Sequence, residues 1–225
     1  MPYSHRINVR RVEEEADRQN ALSVMRAIYR DEKNWVNQDE KLIHHEDVKS
    51  DVISWFVATV GHQPVGVLRV LYELPLDLYR EYGLKMVNSG VDVEAFLRNN
   101  KIAEIGRFAV LSEHRSQMLV VAALMKAAVR DTIDRGFTHY ITDVFEGEKH
   151  SPYEFHTRVM GFQVVGTHDT GELNCPNRRL TMLLDLAAGY RKLRAKNSWV
   201  FRQLTRDWTP EMHERLLSGQ EVAAG

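Results

Sequence analysis

Apolar and polar residues alternate in several short runs of the chain, and this period of two predicts β-strands. The pair of runs at 52–74 flanks Gly61 and Pro64, a turn signal that predicts a hairpin. Together with the hairpin, single runs elsewhere predict about seven strands. The single runs lie at 6–13, 101–111, 138–145, 162–167 and 178–186.

Helical spacing separates these strands. The longest segment, 117–137, is rich in Ala, Leu, Met and Lys and ends at Gly136. The stretch 75–100 is helical or irregular. Strands that alternate with helices predict an α/β fold with a mixed central sheet and helices on both faces. Further helices are expected at 13–35, 151–162 and 187–204, with a short one after Pro210.

Composition narrows the class of protein. The chain has 225 residues, 44% hydrophobic and 27% charged, with a formal net charge of -1, so nothing global favours nucleic acid. We expect one domain at 1–186 and a helical extension at 187–225 that packs on it. A single cysteine, no apolar signal core and no apolar run of transmembrane length lead us to expect a cytoplasmic protein.

Familiar catalytic and metal signatures are missing from the sequence. There is no G-x-S-x-G elbow, no Rossmann or P-loop glycine pattern, and no H-E-x-x-H. His44 and His45 are adjacent, but they lie in a polar stretch that predicts a solvated loop. We therefore expect no metal site.

A carboxylate and a guanidinium stand three residues apart in the strand "AEIGRFAV". On a regular strand Glu104 and Arg107 point to opposite faces. A bulge at Gly106 would bring them to one face. Glu104 could then take a proton from an attacking amine, and Arg107 could hold a carboxylate through two hydrogen bonds. A structural ion pair in the sheet is the alternative.

The next helix starts just after a basic polar link. Backbone N–H groups at a helix start bind phosphate, and Arg115 before them would strengthen such a site. An ordinary helix with Ser116 as its N-cap is the alternative. Farther along, Tyr153 in "SPYEFHTRVMGF" could protonate a leaving thiolate, although it could equally pack with Phe155.

The order of these elements over roughly Arg6 to Leu186 resembles the GNAT acyltransferase fold, in which two strands splay and admit a pantetheine arm. "RVMGF" at 158–162 is similar to a common ending in that superfamily, and "EIGRFAV" resembles the E-x-x-R-F motif of acyl-homoserine-lactone synthases and long-chain N-acyl amino acid synthases. By the same resemblance, Trp35 in "YRDEKNW", Asp51 and Arg69 match residues of the substrate site in those families.

The resemblance implies an acyl thioester as donor and a small amine, such as an amino acid, as acceptor. Glu104 would be the base and Tyr153 the acid, and Arg107 would orient the acceptor carboxylate or buttress the site, with Arg69 as a second candidate. Backbone groups of Phe108 and Val110 would pair with pantetheine. The expected phosphate site consists of Arg115, Ser116, Gln117, Met118, Leu119 and Val120.

One departure from the superfamily affects the donor. Acetyl-CoA enzymes of this fold carry Q/R-x-x-G-x-G/A, whereas the run from Arg115 to Val120 contains no glycine. An acyl carrier protein presents a phosphopantetheine without the adenine nucleotide and so requires less of this loop. We therefore expect no permanently bound cofactor, and an acyl-phosphopantetheine thioester on a carrier protein, or on CoA, as co-substrate.

An acidic carrier protein needs a basic docking surface. The C-terminal helical region offers Arg191, Lys192, Arg194, Lys196 and Arg202, with Arg178 and Arg179 nearby in the sequence. A solvated helix face is the alternative for each of these residues. An acetyl-CoA-dependent N-acetyltransferase and a catalytically silent acyl-binding module remain the alternative functions.

Overall fold

The computed structural model describes residues 7–37, 42–74, 81–87, 96 and 99–218. Its strands are β1 (Ile7–Arg11), β2 (Ile53–Val60), β3 (Gln63–Leu71), β4 (Lys85–Met86), β5 (Ile102–Val110), β6 (His139–Phe145), β7 (Gln163–His168) and β8 (Arg179–Asp185). Its α-helices are α1 (Glu15–Met25), α2 (Met118–Asp134), α3 (Leu186–Ala195), α4 (Trp199–Leu204) and α5 (Pro210–Ser218). Two π-helices occupy Arg26–Glu32 and Phe155–Met160, and short 3₁₀-helices occupy Glu46–Lys49 and Ser112–His114.

The chain divides into two compact units. The first contains Met1–Leu71 and Ile105–Asp131. In it β1 pairs antiparallel with β2, and β2 with β3, across the predicted hairpin. A Cβ atom on Gly66 of β3 would lie 3.0 Å from Leu124 and 3.2 Å from Val120. Glycine is therefore needed where the start of α2 packs on β3.

The second unit contains Tyr72–Glu104 and Thr132–Gly225. In it the beginning of β5 pairs parallel with β6; β6 pairs antiparallel with β8, β8 with β7, and β7 with β4. The helices α3 to α5 fall in this unit and follow β8 directly. The division of the chain at residue 186 stays a prediction.

The strands are hydrogen-bonded in the order β1-β2-β3-β5-β6-β8-β7-β4, which confirms the mixed sheet of an α/β fold. The described residues form eight strands where about seven were expected, because the two-residue β4 gives no alternation signal at its length. It lies within the predicted excursion 75–100, of which residues 75–80, 88–95 and 97–98 lie outside the described part of the chain.

Two predicted helices differ from the structure. The first continues beyond Met25 as a π-helix, in which the Lys33 amide donates to the Ile28 carbonyl at 2.9 Å. The basic helix expected over 187–204 is interrupted between α3 and α4, where Asn197 has φ 41. Asparagine tolerates this left-handed conformation better than most residues. Asn197 can therefore separate two helices although the sequence on both sides has helical spacing.

Candidate functional site

The regular pairing and backbone of β5 end in the middle of the strand. Its parallel pairing with β6 covers Ile102 to Glu104, and Glu104 is opposite Ile141, although β6 continues to Phe145. The left-handed residue of β5 is Arg107, with φ 49, and not Gly106, where the irregularity was expected. Such a conformation costs a non-glycine residue about 1–3 kcal/mol, and residues held in this way cluster at functional sites.

Two guanidinium groups of the first unit act on one buried phenol. The guanidinium carbon of Arg107 lies 5.6 Å from the centre of the Tyr29 ring, and Tyr29 is only 6% exposed. Burial raises the pKa of Tyr29, and the positive charges of Arg107 and Arg69 oppose that rise. The charges of two predicted substrate-binding arginines thus act on the same phenol, and their combined charge favours an anion.

Aromatic side chains extend this group. Trp35 packs edge-on against Tyr29, with ring centres 5.4 Å apart, because the amide of Trp35 donates to the Tyr29 carbonyl at the end of the π-helix. Arg69 lies opposite Trp55 in the hairpin, with its guanidinium carbon 5.9 Å from the Trp55 ring. The structure therefore places Trp35, Arg69 and Arg107 in one neighbourhood around Tyr29.

The contacts given above do not involve Asp51, another predicted substrate-binding residue. It is exposed just before β2. The carboxylate that accepts a hydrogen bond from the Trp55 indole is that of Asp47, at 3.0 Å. The role of Asp51 stays a prediction.

Arg115, expected to bind phosphate, contacts a carboxylate in this structure. Its guanidinium forms an ion pair with Glu32 at the end of the π-helix, and the hydrogen bond from Arg115 is the main reason that the pKa of Glu32 is lowered. The Arg115 Nε also donates to the Val110 carbonyl at 3.1 Å. Arg115 thus links the π-helix to the end of β5, where pantetheine was expected to bind.

The expected phosphate loop lies at the surface. Ser116, Gln117, Met118 and Leu119 are exposed and Val120 is buried. The amides of Gln117, Met118 and Val120 donate to the carbonyls of His114, Ser116 and Gln117, respectively. Met118 and Leu119 are 38% and 53% exposed, which is unusual for large apolar side chains. Phe108 is half-buried and Val110 is buried.

In the second unit Glu104 is half-buried, and its negative charge acts on Tyr82. Burial, followed by the charges of Glu172 and Glu104, raises the pKa of Tyr82. The Tyr82 ring stacks on the imidazole of His168, with ring centres 5.7 Å apart and an angle of 7° between the planes. Tyr82 and His168 carry no sequence signal of a functional site, since neither belongs to a recognisable motif.

Tyr153 is half-buried at the start of the helical segment that ends at Gly161. Its amide donates to the Ser151 hydroxyl at 3.3 Å, and its carbonyl accepts from the Thr157 hydroxyl at 2.8 Å. These bonds fix the backbone of Tyr153. Its role as an acid stays a prediction.

The C-terminal helices carry a basic face, defined as Arg191, Lys192, Arg194, Lys196 and Arg202, all exposed. Trp199, which lies between Lys196 and Arg202 in the sequence, is 40% exposed. Arg179 cannot contribute as expected: it is 4% exposed, and its guanidinium donates to the carbonyls of Asp169 and Leu173 at 2.8 and 2.7 Å.

Two absences hold for the described ranges of the chain. No helix there is long and apolar enough to cross a membrane. No group of three or more His, Cys, Asp or Glu side chains in the same ranges could hold a metal ion.

The fold is shared with solved acyltransferase structures. FeeM, an N-acyl amino acid synthase from uncultured soil microbes, matches with a TM-score of 0.65 at 14% identity, over 86% of this chain and 98% of that one. An acetyltransferase of the GNAT family from Desulfovibrio desulfuricans matches with a TM-score of 0.56 at 13% identity, over 80% and 99%. An aminoglycoside 6'-N-acetyltransferase in complex with coenzyme A gives 0.55 at 12%, over 80% and 97%. These likenesses show the GNAT fold.

Sequence comparison identifies the family. No curated protein matches the chain significantly. The family model of the N-acyl amino acid synthase FeeM matches residues 21–180, which is more than half of the chain and includes β5 with Glu104 and Arg107. The protein is thus an N-acyltransferase with the GNAT fold, and it belongs to the FeeM family of N-acyl amino acid synthases.

Proposed function

We propose that this acyltransferase moves a fatty acyl group from a phosphopantetheine thioester to the α-amino group of an amino acid. The observation that carries the proposal is the 5.6 Å contact of Arg107 with the ring of the buried Tyr29, together with the effect of the Arg69 charge on the same phenol. An amino acid differs from a simple amine by its carboxylate, and two guanidinium groups are well suited to bind that carboxylate.

Arg107 is the main carboxylate ligand in this proposal, and Arg69 is the second. The left-handed backbone of Arg107 sets the direction in which its side chain leaves the strand. Trp35 and Tyr29 provide an aromatic wall beside the guanidinium. Asp51 is assigned to the outer part of the acceptor site. The acceptor would thus be held by its carboxylate, which leaves the amine for the chemical step.

Glu104 takes the proton from the acceptor ammonium. The amine nitrogen then attacks the thioester carbon, the new C–N bond forms, and the C–S bond breaks. The leaving thiolate receives a proton from Tyr153, and the second proton lost by the attacking nitrogen passes through solvent to the Tyr153 phenolate, so that a neutral amide and a neutral thiol result. Because a thioester is already reactive, orientation of amine and thioester supplies much of the rate gain.

The donor arm is assigned to β5 and the helix start that follows it. Pairing of β5 with β6 ends at Glu104, and backbone groups of Phe108 and Val110 beyond that point would bond to pantetheine. Arg115 and the backbone from Ser116 to Val120 would receive its phosphate. The phosphate would compete with Glu32 for Arg115 and with the carbonyls that now accept from three amides of this backbone. With no glycine in this loop, a single phosphate suits it better than the pyrophosphate of CoA.

A carrier protein is the donor that best fits the surface. Acyl carrier proteins are acidic, and the basic face supplies opposite charge around the exposed Trp199. Aromatic and arginine side chains are enriched in protein interfaces. We assign the basic face as the carrier-docking surface.

The test is an assay of purified protein with palmitoyl carrier protein, palmitoyl-CoA or acetyl-CoA and a mixture of the twenty common amino acids, read by mass spectrometry. N-palmitoyl amino acid formed faster from the carrier protein would support the whole proposal. Faster reaction with palmitoyl-CoA would overturn the carrier assignment alone. Acetylation as the only reaction would replace the proposal with an N-acetyltransferase, and no transfer would leave the acyl-binding module.

A further inference from the structure

Asp143 is fixed by two donors on the face of the sheet that carries Glu104. The Thr181 hydroxyl donates to one carboxylate oxygen at 2.8 Å, and His168 Nε2 lies 3.0 Å from the other. The register explains the arrangement, because Thr181 of β8 stands directly opposite Asp143 of β6. The Asp143 carboxylate therefore has a set orientation.

The protons of His168 are determined by its two acceptors. Its Nδ1 lies 2.7 Å from the Thr170 carbonyl, and its Nε2 faces the Asp143 carboxylate. A carbonyl and a carboxylate can only accept, so both ring nitrogens must donate, and the imidazole is in its charged form. The pair His168–Asp143 thus combines one positive and one negative charge.

Only one member of this pair faces outward. The side chain of His168 is 0% exposed and that of Asp143 is 27% exposed. Tyr82 covers the imidazole by stacking on it, and the Thr170 hydroxyl holds the Tyr82 carbonyl at 3.1 Å. A ligand can therefore reach the carboxylate and not the imidazolium.

Asp143 also shares a sheet face with Glu104. Glu104 is opposite Ile141 in the parallel pairing, and laterally paired residues project their side chains to the same face. Asp143 follows Ile141 by two residues, so it projects to that face as well. Ideal strand spacing puts the Cα atoms of Glu104 and Asp143 roughly 8 Å apart, within reach of one small cation.

We propose that Asp143 binds the ammonium group of the acceptor beside Glu104, and that His168 and Thr181 are positioning residues for it. The proposal deepens the proposed function and rests on it for the identity of the acceptor. A buried ion pair gives little net stability compared with apolar residues at the same positions. We therefore attribute the presence of the His168–Asp143 pair on this sheet face to a binding role. Asp143 keeps the ammonium in place while Glu104 removes one proton.

The test measures binding rather than turnover. Each of the twenty common amino acids is titrated into the purified full-length protein by calorimetry, and those that bind are compared with the matching 2-hydroxy acids, which lack the ammonium. We expect Asp143→Asn to weaken amino acid binding by about tenfold or more, the scale of a lost charge-assisted hydrogen bond, with 2-hydroxy acid binding unchanged. The matched control, Thr181→Val, keeps the charge and should weaken binding by less than about threefold.

Three outcomes overturn the proposal: equal losses for both ligand classes, no loss in Asp143→Asn, or no amino acid binding by the wild type. If Asp143→Asn does not fold, the double variant Asp143→Leu/His168→Leu removes both buried charges and must lose the preference for amino acids. Amino acid binding without acyl transfer would refute the proposed function but leave Asp143 as an ammonium ligand.

Discussion

The guanidinium carbon of Arg107 lies 5.6 Å from the centre of the buried Tyr29 ring, and the same Arg107 is the left-handed residue of β5. The ring contact and the left-handed backbone are related, since both set the direction in which the Arg107 side chain leaves β5. A strained backbone at a charged residue is expected where that side chain is kept for function and not for stability.

Substitution of Arg107 should separate strain from function. Arg107→Ala and Arg107→Gly both remove the guanidinium, but glycine adopts φ 49 without steric cost. We expect the glycine variant to exceed the alanine variant by about 1 kcal/mol in free energy of unfolding, measured with urea. Both should lose acyl transfer. Equal stability of the two variants would show that the left-handed conformation carries no strain.

Loss of the second arginine should affect the acceptor alone. Arg69→Met keeps the length of the side chain and removes one of the two charges near Tyr29. We expect the KM for the amino acid to rise by about tenfold to a hundredfold, and the KM for the acyl donor to change little. Arg10→Met, at an exposed position of β1, is the control. An increase in donor KM instead would assign Arg69 to the donor site.

Charge reversal on the basic face should affect only the carrier-bound donor. Arg194→Glu/Lys196→Glu changes two exposed residues of this face. We expect the apparent KM for acyl carrier protein to rise by about tenfold, an effect that weakens in high salt, with the KM for acyl-CoA unchanged. Arg10→Glu/Lys101→Glu makes the same change in net charge at other exposed positions. If both pairs behave alike, the surface is not a specific dock.

Acid should destabilise the protein through His156. Burial lowers the pKa of His156 from 6.5 to about 4, so below pH 6.5 the unfolded chain binds a proton that the folded chain does not. The free energy of unfolding should therefore fall by up to about 3 kcal/mol as the pH drops from 6.5 to 4. His156→Leu should flatten this part of the profile, and His62→Leu, in the exposed turn of the hairpin, should not. A profile that falls equally steeply in His156→Leu would refute this assignment.

His168 should act in the opposite direction. Burial alone lowers the pKa of His168, but the hydrogen bond and charge of Asp143 and the Thr170 carbonyl outweigh it, so the pKa is raised. Its contribution to stability is complete below the ordinary histidine pKa and is lost as the pH rises through the raised value. We expect NMR titration of the imidazole to show this raised pKa in the wild type and a lower one in Asp143→Asn.

Local patterns were enough to predict most of the architecture. Alternation predicts the hairpin and β5, and helical spacing that ends at a glycine predicts α2. The motif around Glu104 and Arg107 indicated the family that the comparison confirms. A bulge was expected at Gly106, because glycine often marks such irregularities in strands, whereas the residue with the left-handed backbone is Arg107.

The neighbours of the site could not be predicted in the same way. Tyr29 meets Arg107 only because a π-helix follows α1, and Glu32 meets Arg115 only because residues far apart in sequence pack together. Asp143 and His168 come together through the register of three strands, β6, β8 and β7. Such contacts depend on tertiary structure and leave no short motif.

The most direct test of acyl transfer to an amino acid is mass spectrometry of lipid extracts from cells that express the wild type or Glu104→Gln. The account predicts new masses equal to a fatty acyl group plus an amino acid in the wild-type extract and their loss in the variant, because glutamine cannot take the proton from the amine. Absence of such masses from the wild-type extract, or equal amounts in both, would contradict it.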